Sequence, residues 1–98
     1  MTTNTLRIEG ELTIFRAMEL KTEILSTPLP DEVNLAGVTE IDTAGVQLLM
    51  LAKRTALAQQ HELHLVAHSP AVIEVFELLN VAGYFGDPLI MDSSEKAK

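Results

Sequence analysis

Residues Thr39–Arg54 read TEIDTAGVQLLMLAKR. The apolar end of an extended segment, Ile41, runs into Asp42-Thr43-Ala44-Gly45 and then, with no spacer, into a hydrophobic stretch of helical period. A strand passing through a short polar turn into a helix is the joint an α/β unit requires. Three readings of the turn compete: a helix cap, a catalytic acid–hydroxyl pair, or a hydroxyl held where another protein can modify and read it.

Upstream, Leu6 and Ile8, then Leu12 and Ile14, alternate with polar residues on either side of Glu9-Gly10-Glu11. This predicts two short strands joined by a tight turn, an antiparallel start. From Phe15 the spacing of Ala17, Leu20, Ile24 and Leu25 predicts a first helix, stopped by Thr27-Pro28-Leu29-Pro30 because proline cannot donate to it. Val33 and Leu35 share one strand face with Asn34 opposite, and Ala36-Gly37 is expected to release the backbone.

Downstream, the second helix is expected from about Thr43 to Gln60. ELHLVAH at 62–68 reads as another strand, and Ser69-Pro70 as the cap and first turn of a third helix that Gly83 ends. GDPLIM at 86–91 is a candidate last strand, and DSSEKAK at 92–98 is a polar tail with nothing to bury. The expectation is an α/β fold: one domain over 1–91, with a sheet of four to five strands and helices packed against it.

A chain of 98 residues holds one core, and with 47% hydrophobic but only 4% aromatic residues that core must be aliphatic. Fourteen acids against seven bases give a net charge of −7, which makes nucleic acid or an anionic membrane an unfavourable partner and favours a neutral or basic protein. The absence of cysteine excludes disulfides, zinc–thiolate sites and thiol nucleophiles. No stretch approaches the ~20 apolar residues of a membrane span, and the start has no leader pattern, so the chain reads as cytoplasmic.

Asp42 and Thr43 are both good N-cap residues, because a side-chain oxygen there accepts from N–H groups that the first helical turn leaves unpaired. Gly45 adds something. Glycine costs about 1 kcal/mol against alanine in a helix, so its place in the first turn implies close approach of another backbone or group. A hydroxyl at a helix N-terminus is also well placed to carry a phosphate, whose charge the free N–H groups and the dipole stabilise.

GELT at Gly10–Thr13, VNLAGVTEIDTAGVQLL from Val33 and SPAVIEVFELLNV from Ser69 together resemble the STAS domain of anti-anti-sigma-factor type, over about Leu6 to Met91. The resemblance implies a mixed sheet with helices packed against it. It also implies that Thr43, the hydroxyl residue after the loop aspartate, is the one a partner kinase phosphorylates, modification releasing the partner. The partner so implied is an anti-sigma kinase, a chemotaxis-type signalling protein or, for single-domain relatives, the ATPase of a lipid-transport ABC system. Asn34 and Thr13 stand where the family often has aspartate, and Ala44 leaves Thr43 the only hydroxyl in the turn.

On a helical wheel Leu48, Leu49, Ala52 and Ala56 form a core face, while Val46, Met50 and Leu57 gather on the flank with Lys53 beside them. That flank either packs against a neighbouring helix or is covered by a partner. The expected partner-binding set is thus Asp42, Thr43, Ala44, Gly45, Val46, Met50, Lys53 and Leu57. His61, His64 and His68 do not suggest a metal, since His64 and His68 on one strand face lie on the order of 13 Å apart, and they read as solvated or edge residues. With no cofactor signature, Gly-rich phosphate loop or Ser-His-acid arrangement, the chain does not read as an enzyme. A rival is a small anionic-ligand module built from the N-termini of helices two and three, at Thr43 and Ser69.

Overall fold

The computed structural model describes residues 4–26 and 28–79. The elements alternate as β1 (Thr5–Leu12), α1 (Ala17–Ile24), β2 (Glu32–Ile41), α2 (Thr43–Ala58), β3 (His64–Val66) and α3 (Pro70–Leu79). Among the described residues the sheet has three strands in the order β1-β2-β3, with both pairs parallel. The expected 86–91 strand, the stop at Gly83 and the tail lie outside the described residues, and a count of four to five strands is not reached within them.

The antiparallel start is corrected. Glu9-Gly10-Glu11 is no turn but the interior of β1, which runs unbroken alongside β2. Gly10 does take a left-handed conformation, φ 82°, but there it serves an irregularity in the ladder. β1 advances from Arg7 to Glu9 while β2 advances from Asn34 to Gly37, and from Gly10 to Glu11 while β2 advances from Val38 to Glu40. β2 therefore carries an extra residue at each place, a bulge in the sense of an interrupted pairing.

Those bulges explain why the pattern in β2 misleads. Its buried residues are Val33, Leu35, Val38 and Ile41, and the spacing departs from two where the extra residues fall. A strict period-two reading ends the strand at Gly37, whereas the strand runs on to Ile41 and delivers Asp42 directly to the helix.

The core is mostly aliphatic: Ile8, Leu12, Val33, Leu35 and Leu65 of the strands meet Leu20, Ile24, Leu49, Ala52 and Ala56 of α1 and α2, and Phe76 of α3 is its one phenyl ring among the described residues. α1 has only eight residues, too few for stability on its own, and Leu20 and Ile24 hold it by burial. α2 ends in a Schellman arrangement: Gln60 is left-handed at φ 55°, its N–H reaches the Leu57 carbonyl, and the His61 N–H reaches that of Ala56. α3 begins at a cap, the Val72 N–H donating to Ser69 Oγ at 3.2 Å, and packs against β2. Among the described residues no helix is long and apolar enough to cross a membrane.

Candidate functional site

Asp42 is the N-cap of α2, in extended conformation with φ −121°. One carboxylate oxygen accepts the Gly45 N–H at 2.9 Å. The other accepts the Ile14 N–H at 3.1 Å, across 28 residues of sequence. A single side chain thus ties the start of α2 to the turn between β1 and α1. Since Asp42 does the capping, Thr43 is left as the first residue of the helix, and it is exposed.

Gly45 is buried, and its close approach is internal. A Cβ there would stand 2.1 Å from the Leu12 carbonyl oxygen, so the glycine lets α2 lie against the end of β1. Of the two expected alternatives, another backbone or a group needing room, the neighbour here is the Leu12 backbone. Ala44, between them, is half-buried.

The flank of α2 is also largely internal. Val46 is 2% exposed and part of the core, and Met50 is packed against that core. Val46 is thus closed to a partner, and Met50 is only half-open. Lys53 turns its ammonium onto the Leu63 carbonyl at 2.6 Å, a contact with the approach to β3. Leu57 is 77% exposed, but it lies roughly 20 Å along the helix axis from Thr43 at the α-helical rise. The wheel groups these residues correctly, but α2 is packed on more than one side, which a wheel alone does not reveal.

Exposed apolar residues are found instead in the β1–α1 turn, which the Ile14 N–H ties to Asp42, and just after it: Ile14 is 64% and Phe15 88% exposed, and Met18 in the first turn of α1 is 80% exposed. Sequence periodicity assigned Ile14 to a half-buried strand and Phe15 to the start of a helix. The available signal was Thr13, a polar residue that ends the alternation. Its hydroxyl is buried, donates to Glu11 Oε1 at 2.8 Å and accepts the Phe15 N–H at 3.4 Å. Arg16 braces the turn, its guanidinium donating to the carbonyls of Glu9 and Glu11 at 2.6 and 2.9 Å.

Asn34 lies in the first part of β2, registered with Arg7 and Val66, with its side chain accepting the Ala36 N–H at 2.9 Å. It is therefore no neighbour of the Asp42 turn, and its neutrality does not bear on a charge at Thr43. Thr13 does adjoin the turn. Of the histidines, His61 places Nε2 3.0 Å from the Pro30 carbonyl and 3.2 Å from Asp31 Oδ1. His68 is not solvated but buried at 1% exposure, edge-on to Phe76 with centroids 5.9 Å apart. Among the described residues no group of three or more His, Cys, Asp or Glu could hold a metal ion.

Chemically, this arrangement offers a braced surface: an exposed hydroxyl at a helix start, a carboxylate committed to two backbone donors, and bulky apolar side chains turned outward next to them. The family described as Mlab, STAS domain matches residues 2–91. No curated protein matches the chain significantly. STAS domains are regulatory modules that work through protein–protein contact and are generally non-enzymatic. With the match running through β1, the Asp42–Gly45 turn and α3, this chain belongs to the STAS domain family.

Proposed function

We propose that the protein is a non-enzymatic, cytoplasmic regulator of anti-sigma-factor-antagonist type, docking a partner protein through the Asp42–Gly45 turn and the start of α2, with phosphorylation of Thr43 weakening that docking. The observation that carries this reading is the division of labour in the turn. Asp42 takes the capping role, so the exposed Thr43 hydroxyl is not needed to complete the helix. A phosphate there would gain from the helix N-terminus and would at the same time set a dianion beside the Asp42 carboxylate, at the rim of any contact. The contact surface at Thr43 is the turn and its neighbours, not the flank through Val46 and Met50.

A second reading keeps the same surface without modification: an accessory subunit seated on the ATPase of an ABC system. The exposed Ile14 and Phe15, in the turn tied to Asp42 through the Ile14 N–H, favour it, since apolar side chains suit a lasting contact. The anionic-ligand module is the weaker rival, because Asp42 already supplies an anion to the α2 terminus and Ser69 is used as the α3 cap.

The test is co-purification from native extract with wild type, Thr43→Ala and Thr43→Glu, combined with mass analysis of the recovered chain for phosphate. Loss of one partner with Thr43→Glu but not Thr43→Ala supports the switch. Identical partners for all three contradict it. A kinase, a signalling protein or an ATPase as the recovered partner selects among the three branches.

A further inference from the structure

The β1–α1 turn and the outer face of α1 form a second apolar area, of which sequence periodicity assigns Ile14 to a strand and Phe15 to the start of a helix. Ile14, Phe15 and Met18 are each more than half exposed, with the half-buried Arg16 and Ala17 between them. An open hollow of about 530 Å³ then continues from Met18 along Lys21, Thr22, Leu25 and Ser26. Single exposed apolar residues are ordinary, but a contiguous run rimmed by polar groups marks an interaction surface.

The run is also held in place. The Ile14 N–H is bonded to Asp42 and the Phe15 N–H to Thr13, and Arg16 is fastened to two β1 carbonyls. Presenting Phe15 outward from a braced turn reduces the ordering cost a partner must meet. The rim is acidic on balance: Glu19 and Glu23 on α1 and Glu40 at the end of β2 are exposed, with Glu11 and Asp42 half-buried, against the exposed Lys21 that lines the hollow. Arg16, the cation within the turn, is committed to Glu9, Glu11 and Glu19. A second copy would bring the same acidic rim against itself in a chain of net charge −7, and like charges facing each other oppose that contact.

Resting on the docking role of the Asp42 turn, the geometry points to one occupant for this surface: an amphipathic helix of a partner protein whose apolar face covers Phe15 and Met18 and lies along the α1 hollow, flanked by Lys or Arg facing the acidic rim. Asp42 joins this area to Thr43, so both belong to one interface.

The probes are two synthetic amphipathic helices with the same leucine face, one flanked by Lys and Arg and the other by Glu, titrated into the full chain. Fluorescence anisotropy gives affinity and backbone amide shifts give location. The basic peptide is expected to saturate, to shift the amides of 14–25, and to bind at least about tenfold more tightly than the acidic one. Phe15→Ser and Met18→Ser leave the charge unchanged, so a further loss of about tenfold reports apolar contact and not attraction to an acidic protein.

Equal affinity for the two peptides, no saturable binding, shifts confined to α2 or α3, or indifference to Phe15→Ser would each overturn the proposal. So would sedimentation showing a wild-type dimer that Phe15→Ser dissolves, or binding to neutral lipid vesicles that Phe15→Ser abolishes. Thr43→Glu separates the two claims. If it leaves peptide binding intact while Phe15→Ser abolishes it, the apolar surface stands and the Thr43 switch falls; the reverse pattern removes the surface and keeps the switch.

Discussion

A Cβ on Gly45 would lie 2.1 Å from the carbonyl oxygen of Leu12, so the first turn of α2 and the last residue of β1 meet at a distance only glycine permits. The same carbonyl accepts the Asp42 N–H at 3.4 Å. The turn is thus built on the end of β1, and its shape depends on that contact.

Gly45→Ala reverses the usual sign of a helix substitution. In an open helix alanine gains about 1 kcal/mol over glycine. Here the added methyl meets backbone that cannot rotate away, and the expected net result is a loss of at least about 2 kcal/mol. Urea unfolding measures it, and a gain in stability would show that α2 does not sit on Leu12.

Asp42→Ala removes two acceptors at once. Loss of the cap costs about 1 kcal/mol, and the Ile14 N–H loses its partner, for a total expected near 2 kcal/mol. Amide exchange distinguishes the parts: faster exchange at both Gly45 and Ile14 is expected, while a change at Gly45 alone would mean the bridge to β1–α1 is not made.

Phe15→Ser should not destabilise the domain. At 88% exposure the ring contributes little burial, and a change within about 0.5 kcal/mol is expected in thermal unfolding. A larger loss would place the ring inside the fold.

Gln60→Gly should stabilise. Gln60 holds the left-handed position of the α2 terminus, where a Cβ carries strain that glycine lacks. The expected gain is about 0.5–1 kcal/mol, read as a rise in denaturation midpoint with unchanged slope.

Much of the fold was legible because helices and their caps leave local signals. Asp42 before a hydrophobic period, Ser69-Pro70 before α3 and the proline cluster after α1 each act within a few residues of where they stand. What was not legible depended on partners far along the chain. The unbroken β1 is set by pairing with β2, and the bulges that keep it in register distort the very periodicity a reader relies on. Likewise Gly45 announced a close approach but not by whom, and only the position of Leu12 answers that. The α2 flank looked open because its cover, the core around Val46 and the Leu63 carbonyl, comes from other elements. Ile14 and Phe15 were missed for the complementary reason: apolar residues in a turn carry no period, and their exposure follows from Thr13 and Arg16 holding the turn from behind.

The central claim is that the Thr43 hydroxyl faces a partner. Its most direct test is the affinity of the purified partner for wild type and for Thr43→Glu, with thermal unfolding of both chains as the control for fold. A weakening of about tenfold or more at unchanged unfolding temperature is the predicted result; equal affinity for the two chains would contradict the account.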